Sequence, residues 1–179
     1  MNNRVVITGL GLCAPNGTNL NDFTNSLKKG ISGITFHQEL ADLEFGCQIG
    51  GKPIISEELL SQYFTPLQLR GLNATGIMYG VIAGVDAWKD AQLPIENNTA
   101  PDWGNGIIFG TGILGVDQFR DAIHLIDAKN TRRLGSTSVM QTMASGISAY
   151  LGGILGCGNQ VTTNSSACTT GTEGILMAY

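Results

Sequence analysis

Two stretches of this chain, Gly71 to Ala87 and residues 137–155, are apolar or small on nearly every side, and they constrain the fold more than any other feature. A helix without a polar face has to be buried between layers, so a helix from each stretch needs neighbours on both sides. Thr65-Pro66 opens the first with an N-cap and a first-turn proline, and the helix is expected to reach about Leu93. Its end, Asp86-Ala87-Trp88-Lys89-Asp90, is more amphipathic and should surface. The second carries small residues at Ala144, Ser145, Gly146 and Ala149, with Gly156 or Gly158 as its stop.

Between these helices lie short β-branched runs. Val5-Val6-Ile7 reads as a buried strand entering a Gly/Pro loop, Gly106 to Gly110 as a second, and residues 160–163 as a third. Asn19 or Asn21 can cap a helix through Leu27, with Lys28 and Lys29 in its last turn and Gly30 as its stop. Residues 31–55 read mostly as loop with a strand around Phe45–Ile49, and Ser56-Glu57-Glu58 starts a short helix to about Tyr63. Ile95 to Trp103 is a polar loop, and an amphipathic helix follows Gly115 to about Asp127. Strands separated by long helical patterns imply an α/β fold with a mainly parallel sheet covered on both faces. One domain over 1–179 is expected, with more apolar surface than it can cover alone, which suggests a missing partner layer.

Charge excludes some partners. A net charge of -4, with no basic cluster beyond Arg132-Arg133, leaves no footprint for nucleic acid. No run of 18 uninterrupted apolar residues exists to span a membrane, and the N-terminus has no signal-peptide pattern. Cys13, Cys47, Cys157 and Cys168 form no CxxC pair and no zinc spacing with His37 or His124, so a reduced, cytoplasmic protein without metal is expected.

Three places could carry chemistry. Gly110-Thr111-Gly112-Ile113-Leu114-Gly115 is a GxGxxG after a strand and before a helix, and Arg132 and Arg133 beyond it could suggest NADP. That fingerprint needs a second strand ending near the basic pair, whereas residues 116–136 read as helix and polar loop; a close-packed turn is the simpler reading. Gly9-Leu10-Gly11-Leu12-Cys13-Ala14 is followed at once by Pro15-Asn16-Gly17, which prevents the helix a dinucleotide would need and leaves Cys13 a small buried side chain. The third place is Ala167-Cys168-Thr169-Thr170-Gly171, where a strand meets small residues and then a helix. Helix N-terminal N–H groups favour thiolate over thiol, and small neighbours let backbone approach a bound acyl group. On local physics Cys168 is either a nucleophile or an inert packed cysteine. Cys47 and Cys157 read as structural, and His37 and His124 as solvated or capping residues.

Taken in order, these motifs resemble the N-terminal part of a β-ketoacyl-[acyl-carrier-protein] synthase of the thiolase fold. The likeness rests on Arg4-Val5-Val6-Ile7-Thr8-Gly9-Leu10-Gly11 with Pro15 and Gly17, then Gly30-Ile31-Ser32-Gly33-Ile34, then Tyr79 to Ala87. Gly110 to Gly115 looks like that family's glycine-rich turn beside the acyl pocket, and Ser166-Ala167-Cys168-Thr169-Thr170-Gly171 matches its nucleophile motif. The resemblance implies that Cys168 accepts an acyl chain from a carrier-protein phosphopantetheine thioester. A malonyl carrier protein then loses CO₂, and its enolate attacks the acyl-enzyme. It further implies substrate contacts at Ile113, Ala167 and Thr169, an acyl carrier protein as partner, a homodimer, and no cofactor.

The family's two catalytic histidines, its lysine and its gating phenylalanine motif belong to a C-terminal half, and neither His37 nor His124 sits in a matching motif. The chain is therefore expected to be an incomplete ketosynthase, a fragment or a truncated product, inactive by itself in condensation. Ser145 stands where many relatives carry asparagine, which bears on acyl preference. Glu173 is an unusual acid early in the nucleophile helix; it complements the helix dipole, but its charge opposes thiolate formation at Cys168. Two other classes stay open: a non-condensing chain-length-factor-like partner subunit, and an NADP-dependent oxidoreductase.

Overall fold

The structure, a computed structural model, describes residues 4–95 and 100–179. It is α/β. The expected first helix, α1 (Leu20–Lys29), is capped by the Asn19 side chain and ends at Gly30. Residues 31–55 hold more order than expected. The strand β1 (Ile34–Phe36), the helix α2 (Gln38–Asp42) and the strand β2 (Ile49–Gly51) form a small unit in which β1 and β2 pair antiparallel. The strand expected around Phe45–Ile49 thus begins only at Ile49, because the Phe45 N–H is used to close the end of α2 on Leu40. Next comes α3 (Glu57–Leu60), with Ser56 as its cap.

The first apolar stretch is divided. Thr65 and Gln68 form a reciprocal capping box, as the sequence suggests, but the helix they start, α4 (Pro66–Leu69), lasts four residues. Gly71 then adopts a left-handed conformation with φ of 80°, and the long helix α5 (Thr75–Asp90) begins afresh. Its cap comes from far along the chain. The buried Gln141 side chain accepts from the N–H groups of Asn73 (2.6 Å) and Ala74 (2.9 Å) and donates to the Gly71 carbonyl (2.8 Å). The second apolar stretch also breaks, into α7 (Ser138–Thr142) and α8 (Gly146–Leu155), which stops at Gly156. Before them come the strand β3 (Ile107–Gly110) and the amphipathic α6 (Val116–Asp127).

The core is the contact of α5 with α8. Ile77, Val81 and Ile82 of α5 lose all solvent contact, each contributing about 1.5–3 kcal/mol. Gly80 and Gly84 let the helices close up: a Cβ at Gly80 would lie 2.5 Å from Ile147, and one at Gly84 would lie 2.6 Å from Leu151. Helix α8 in turn covers a parallel pair made by β3 and β4 (Val161–Asn164), in register from Ile107–Val161 to Gly110–Asn164. A short 3-10 turn at Ala167–Thr169 leads into the last helix, α9 (Thr170–Ala178), which packs on β3.

The buried strand expected at Val5–Ile7 does not form: the segment has no ladder partner among the described residues, and Val5 and Ile7 are 58% and 78% exposed. The segment is tied elsewhere: the Leu10 N–H donates to Asp90 (2.8 Å), and Gly9 and Gly11 lie against the backbone of α5 at Ala87 and Ala83. The parallel sheet is thus two strands wide. The loop expected over Ile95–Trp103 falls partly outside the described residues; where described, Asp102 bridges to Cys157. The dinucleotide reading fails at its test point, since α6 is followed by a 3-10 turn at Thr131–Arg133 and no strand.

Candidate functional site

Strand β4 and helix α9 meet in a turn whose shape comes from its hydroxyl-rich sequence. Ala167 has a φ of 52°, a conformation that a side-chain-bearing residue adopts only when its surroundings fix it. The fixing bonds can be named. The Ser166 N–H donates to Thr170 Oγ1 (2.9 Å), which in turn donates to the Ala167 carbonyl (2.7 Å). Thr169 binds the Ser166 carbonyl through both its N–H (3.2 Å) and its hydroxyl (2.8 Å). Cys168 stands in the middle of this turn, exposed, at the entry to α9. The sequence's choice between a packed and a presented thiol is settled in favour of presentation.

A second layer of polar contacts lies beneath the turn. The Asn164 amide donates to the Thr170 carbonyl (2.9 Å) and to Glu173 Oε2 (3.1 Å), and the Ser166 hydroxyl donates to that same carboxylate oxygen. These two donors hold the Glu173 carboxyl below its ordinary value. Asn164 Oδ1 is buried without a hydrogen-bond partner. It faces two glycines: a Cβ at Gly110 would lie 3.1 Å from it and one at Gly174 3.4 Å. A Cβ at Gly110 would also stand 2.4 Å from Thr170 Cγ2. The absent side chains therefore let α9 sit directly on the end of β3.

The glycine-rich turn after β3 is part of the same end of the molecule. The Thr111 N–H donates to the Asn164 carbonyl (3.1 Å), continuing the β3–β4 pairing into the turn, and Thr111 Oγ1 binds the Ile113 carbonyl (3.1 Å). Ile113 is 76% exposed, as Ala167 and Thr169 are exposed on the neighbouring turn. Gly115 closes the turn as the left-handed residue before α6, where a Cβ would strike the Gln141 carbonyl at 2.0 Å. Close packing accounts for Gly110 and Gly115, whereas a Cβ at Gly112 would meet nothing within 4 Å.

The remaining candidates lie elsewhere. His37 bridges the small β1–β2 unit through Nε2 to the Gly50 carbonyl (3.0 Å), and His124 sits on α6 beside Arg120 (3.4 Å). Burial, aided by Asp86, pushes the Cys13 thiol up to about 11, and Cys157 moves in the same direction for the same reason with Asp102. Cys47, expected within a strand, is exposed in the connection before β2. Among the described residues no group of three or more His, Cys, Asp or Glu could hold a metal, and no helix is long and apolar enough to cross a membrane. The Asn164–Ser166–Glu173 arrangement was not legible beforehand, because it joins a strand end, a turn and a helix. Its only advance sign was the acid itself at the start of α9.

Comparison with known proteins identifies the fold and the family of the chain. The chain is 27% identical over 172 residues to the 3-oxoacyl-[acyl-carrier-protein] synthase 2 of Vibrio harveyi, an alignment covering 96% of this chain and 40% of that protein. It therefore spans about two fifths of the length of the curated relatives it matches. Its fold matches that of a β-ketoacyl synthase from Burkholderia phymatum with a TM-score of 0.75 at 19% identity, over 97% of this chain and 42% of the other. It likewise matches a ketosynthase bound to a hexaketide and complexed with its type II polyketide acyl-carrier protein, with a TM-score of 0.73 at 19% identity, covering 99% of this chain and 47% of that one. The fold is the N-terminal half of the thiolase-like arrangement. Residues 2–179 match the family described as beta-ketoacyl synthase, N-terminal domain, and the chain belongs to that family.

Proposed function

We propose that this chain carries the acyl-accepting half of a 3-oxoacyl-[acyl-carrier-protein] synthase site, with Cys168 as the acceptor. The observation that carries the reading is the presentation of Cys168: an exposed thiol on a turn fixed from both sides, in a chain that belongs to the beta-ketoacyl synthase family. The thiolate attacks the carbonyl carbon of an acyl thioester, forming a C–S bond and an oxyanion. The oxyanion collapses, expelling the pantetheine thiolate, which takes up a proton, and leaving the acyl group on Cys168. Sulfur suits both halves of this exchange, being a good nucleophile and a good leaving group. The Cys168 N–H is the nearest candidate donor to the oxyanion. Ile113, Ala167 and Thr169, all exposed around the two turns, are proposed to contact the acyl chain and its carrier.

The partner supported by this reading is an acyl carrier protein delivering acyl and malonyl groups, and a related ketosynthase structure contains such a carrier. Condensation needs a further group to stabilise the enolate left when malonyl loses CO₂. His37 and His124 are engaged in the β1–β2 unit and on α6, so neither is proposed to serve. Incubating the 179-residue chain with acyl and malonyl carrier proteins should yield acyl-enzyme and no ketoacyl product. Sustained ketoacyl formation by the purified chain would overturn this division. Cys168 also disfavours the chain-length-factor-like alternative, a subunit type that usually lacks this nucleophile.

A further inference from the structure

We propose that Glu173 is a positioning residue for Cys168, its carboxylate clamping the turn that presents the cysteine to the end of β4. The proposal rests on reading Cys168 as the acyl acceptor. The Thr169 and Thr170 hydroxyls brace the turn only locally, through residues three or four positions away. Glu173 is different: one oxygen, Oε2, accepts from the Ser166 hydroxyl, two residues before the cysteine, and from the Asn164 amide at the last position of β4. Asn164 is itself buried and continues through its backbone to Thr111 in the opposite turn. The carboxylate thus joins α9, the Cys168 turn and the β3–β4 pair at one atom. Ala167, between Ser166 and Cys168, holds a left-handed conformation that the Glu173 bond to Ser166 helps to fix, beside the Thr169 and Thr170 bonds. Releasing Ser166 would let Ala167 relax toward ordinary backbone values and swing the Cys168 N–H away from where a thioester oxygen would sit.

Acceptance of hydrogen bonds, rather than charge, is what this role requires. Glutamine keeps an acceptor oxygen at the same reach, whereas leucine keeps the bulk and loses it. The test compares the 179-residue chain with Glu173→Gln and Glu173→Leu in two measurements. Amide hydrogen exchange over residues 164–170 should quicken about tenfold in Glu173→Leu and stay near wild type in Glu173→Gln, with exchange in α5 unchanged in both. Acylation of Cys168 by a fatty-acyl pantetheine thioester should slow about tenfold in Glu173→Leu, while alkylation by iodoacetamide, which needs no oxyanion donor, should change much less. Should Glu173→Leu also loosen α5, Ser166→Ala removes the same bond from its other end and takes its place.

Unaltered exchange and acylation in Glu173→Leu would overturn the proposal, as would a Glu173→Gln variant as impaired as the leucine one. A wild-type chain that takes no acyl group would sink the acyl-acceptor reading instead, and the exchange measurement would then judge the clamp alone.

Discussion

At the scale of single residues, the four cysteines show how position rather than type decides chemistry. Cys168 is held outward by a hydroxyl-braced turn, Cys157 is buried at the end of α8, Cys47 lies in a connection, and Cys13 is half-buried beside Asp86. The small residues around Cys168 made its turn legible in the sequence; nothing local announced that Asp86, on α5, would face Cys13. That neighbour has a measurable consequence. Burial, with the carboxylate adding to it, raises the Cys13 thiol from 9.0 to about 11 in the folded chain. The folded state therefore holds this proton more tightly than the unfolded one, and the resulting stability is complete below pH 9 and lost as pH climbs toward 11. Tyr63, which donates to the same Asp86 (2.8 Å), shifts in the same direction. Denaturation midpoints measured from pH 8 to 11 should fall, and Cys13→Ala should flatten the decline. An equal slope in both proteins would contradict the assignment.

At the scale of elements, the start and stop signals and the extents of α1 and α6 were read well, and the lengths of the two apolar helices were not. Asn19, Ser56, Thr65, Gly30 and Gly156 all act where their chemistry suggested. Both long apolar stretches nevertheless break, at Gly71 and at Met143–Ser145, and each break serves packing. Only the three-dimensional meeting of the two breaks supplies the reason for the first. Gln141 of α7 reaches the start of α5 and satisfies two N–H groups and one carbonyl that the shortened α4 leaves open. No periodicity encodes a cap donated from 67 residues away. Gln141→Leu should keep the volume and orphan those groups, costing about 3 kcal/mol, readable as a lower urea midpoint with an unchanged slope. A variant as stable as wild type would show that the cap is dispensable.

At the scale of the whole molecule, the expectation of uncovered apolar surface is met. Val5, Val6 and Ile7 lie open, as do Phe119, Ile123 and Ile126 on α6 and Ile175 and Leu176 on α9. A groove lined by Gly9, Gly11, Ala83, Gly110, Gly174 and Ile175 lies between the N-terminal segment and β3, and the segment does not join the sheet. The β-branched run Val5–Ile7 was not enough to make a strand, because pairing depends on a neighbour that local sequence does not specify. The candidate site itself is nonetheless assembled within β3, β4, α9 and their turns, and its proposed centre is one thiol. The most direct measurement is therefore site-resolved: the chain is incubated with a fatty-acyl pantetheine thioester, digested, and each cysteine peptide weighed. Cys168 should carry the acyl mass, Cys47 should stay free although it too is exposed, and Cys168→Ala should abolish the modification. An acyl group found on Cys47 instead, or surviving in Cys168→Ala, would contradict the account.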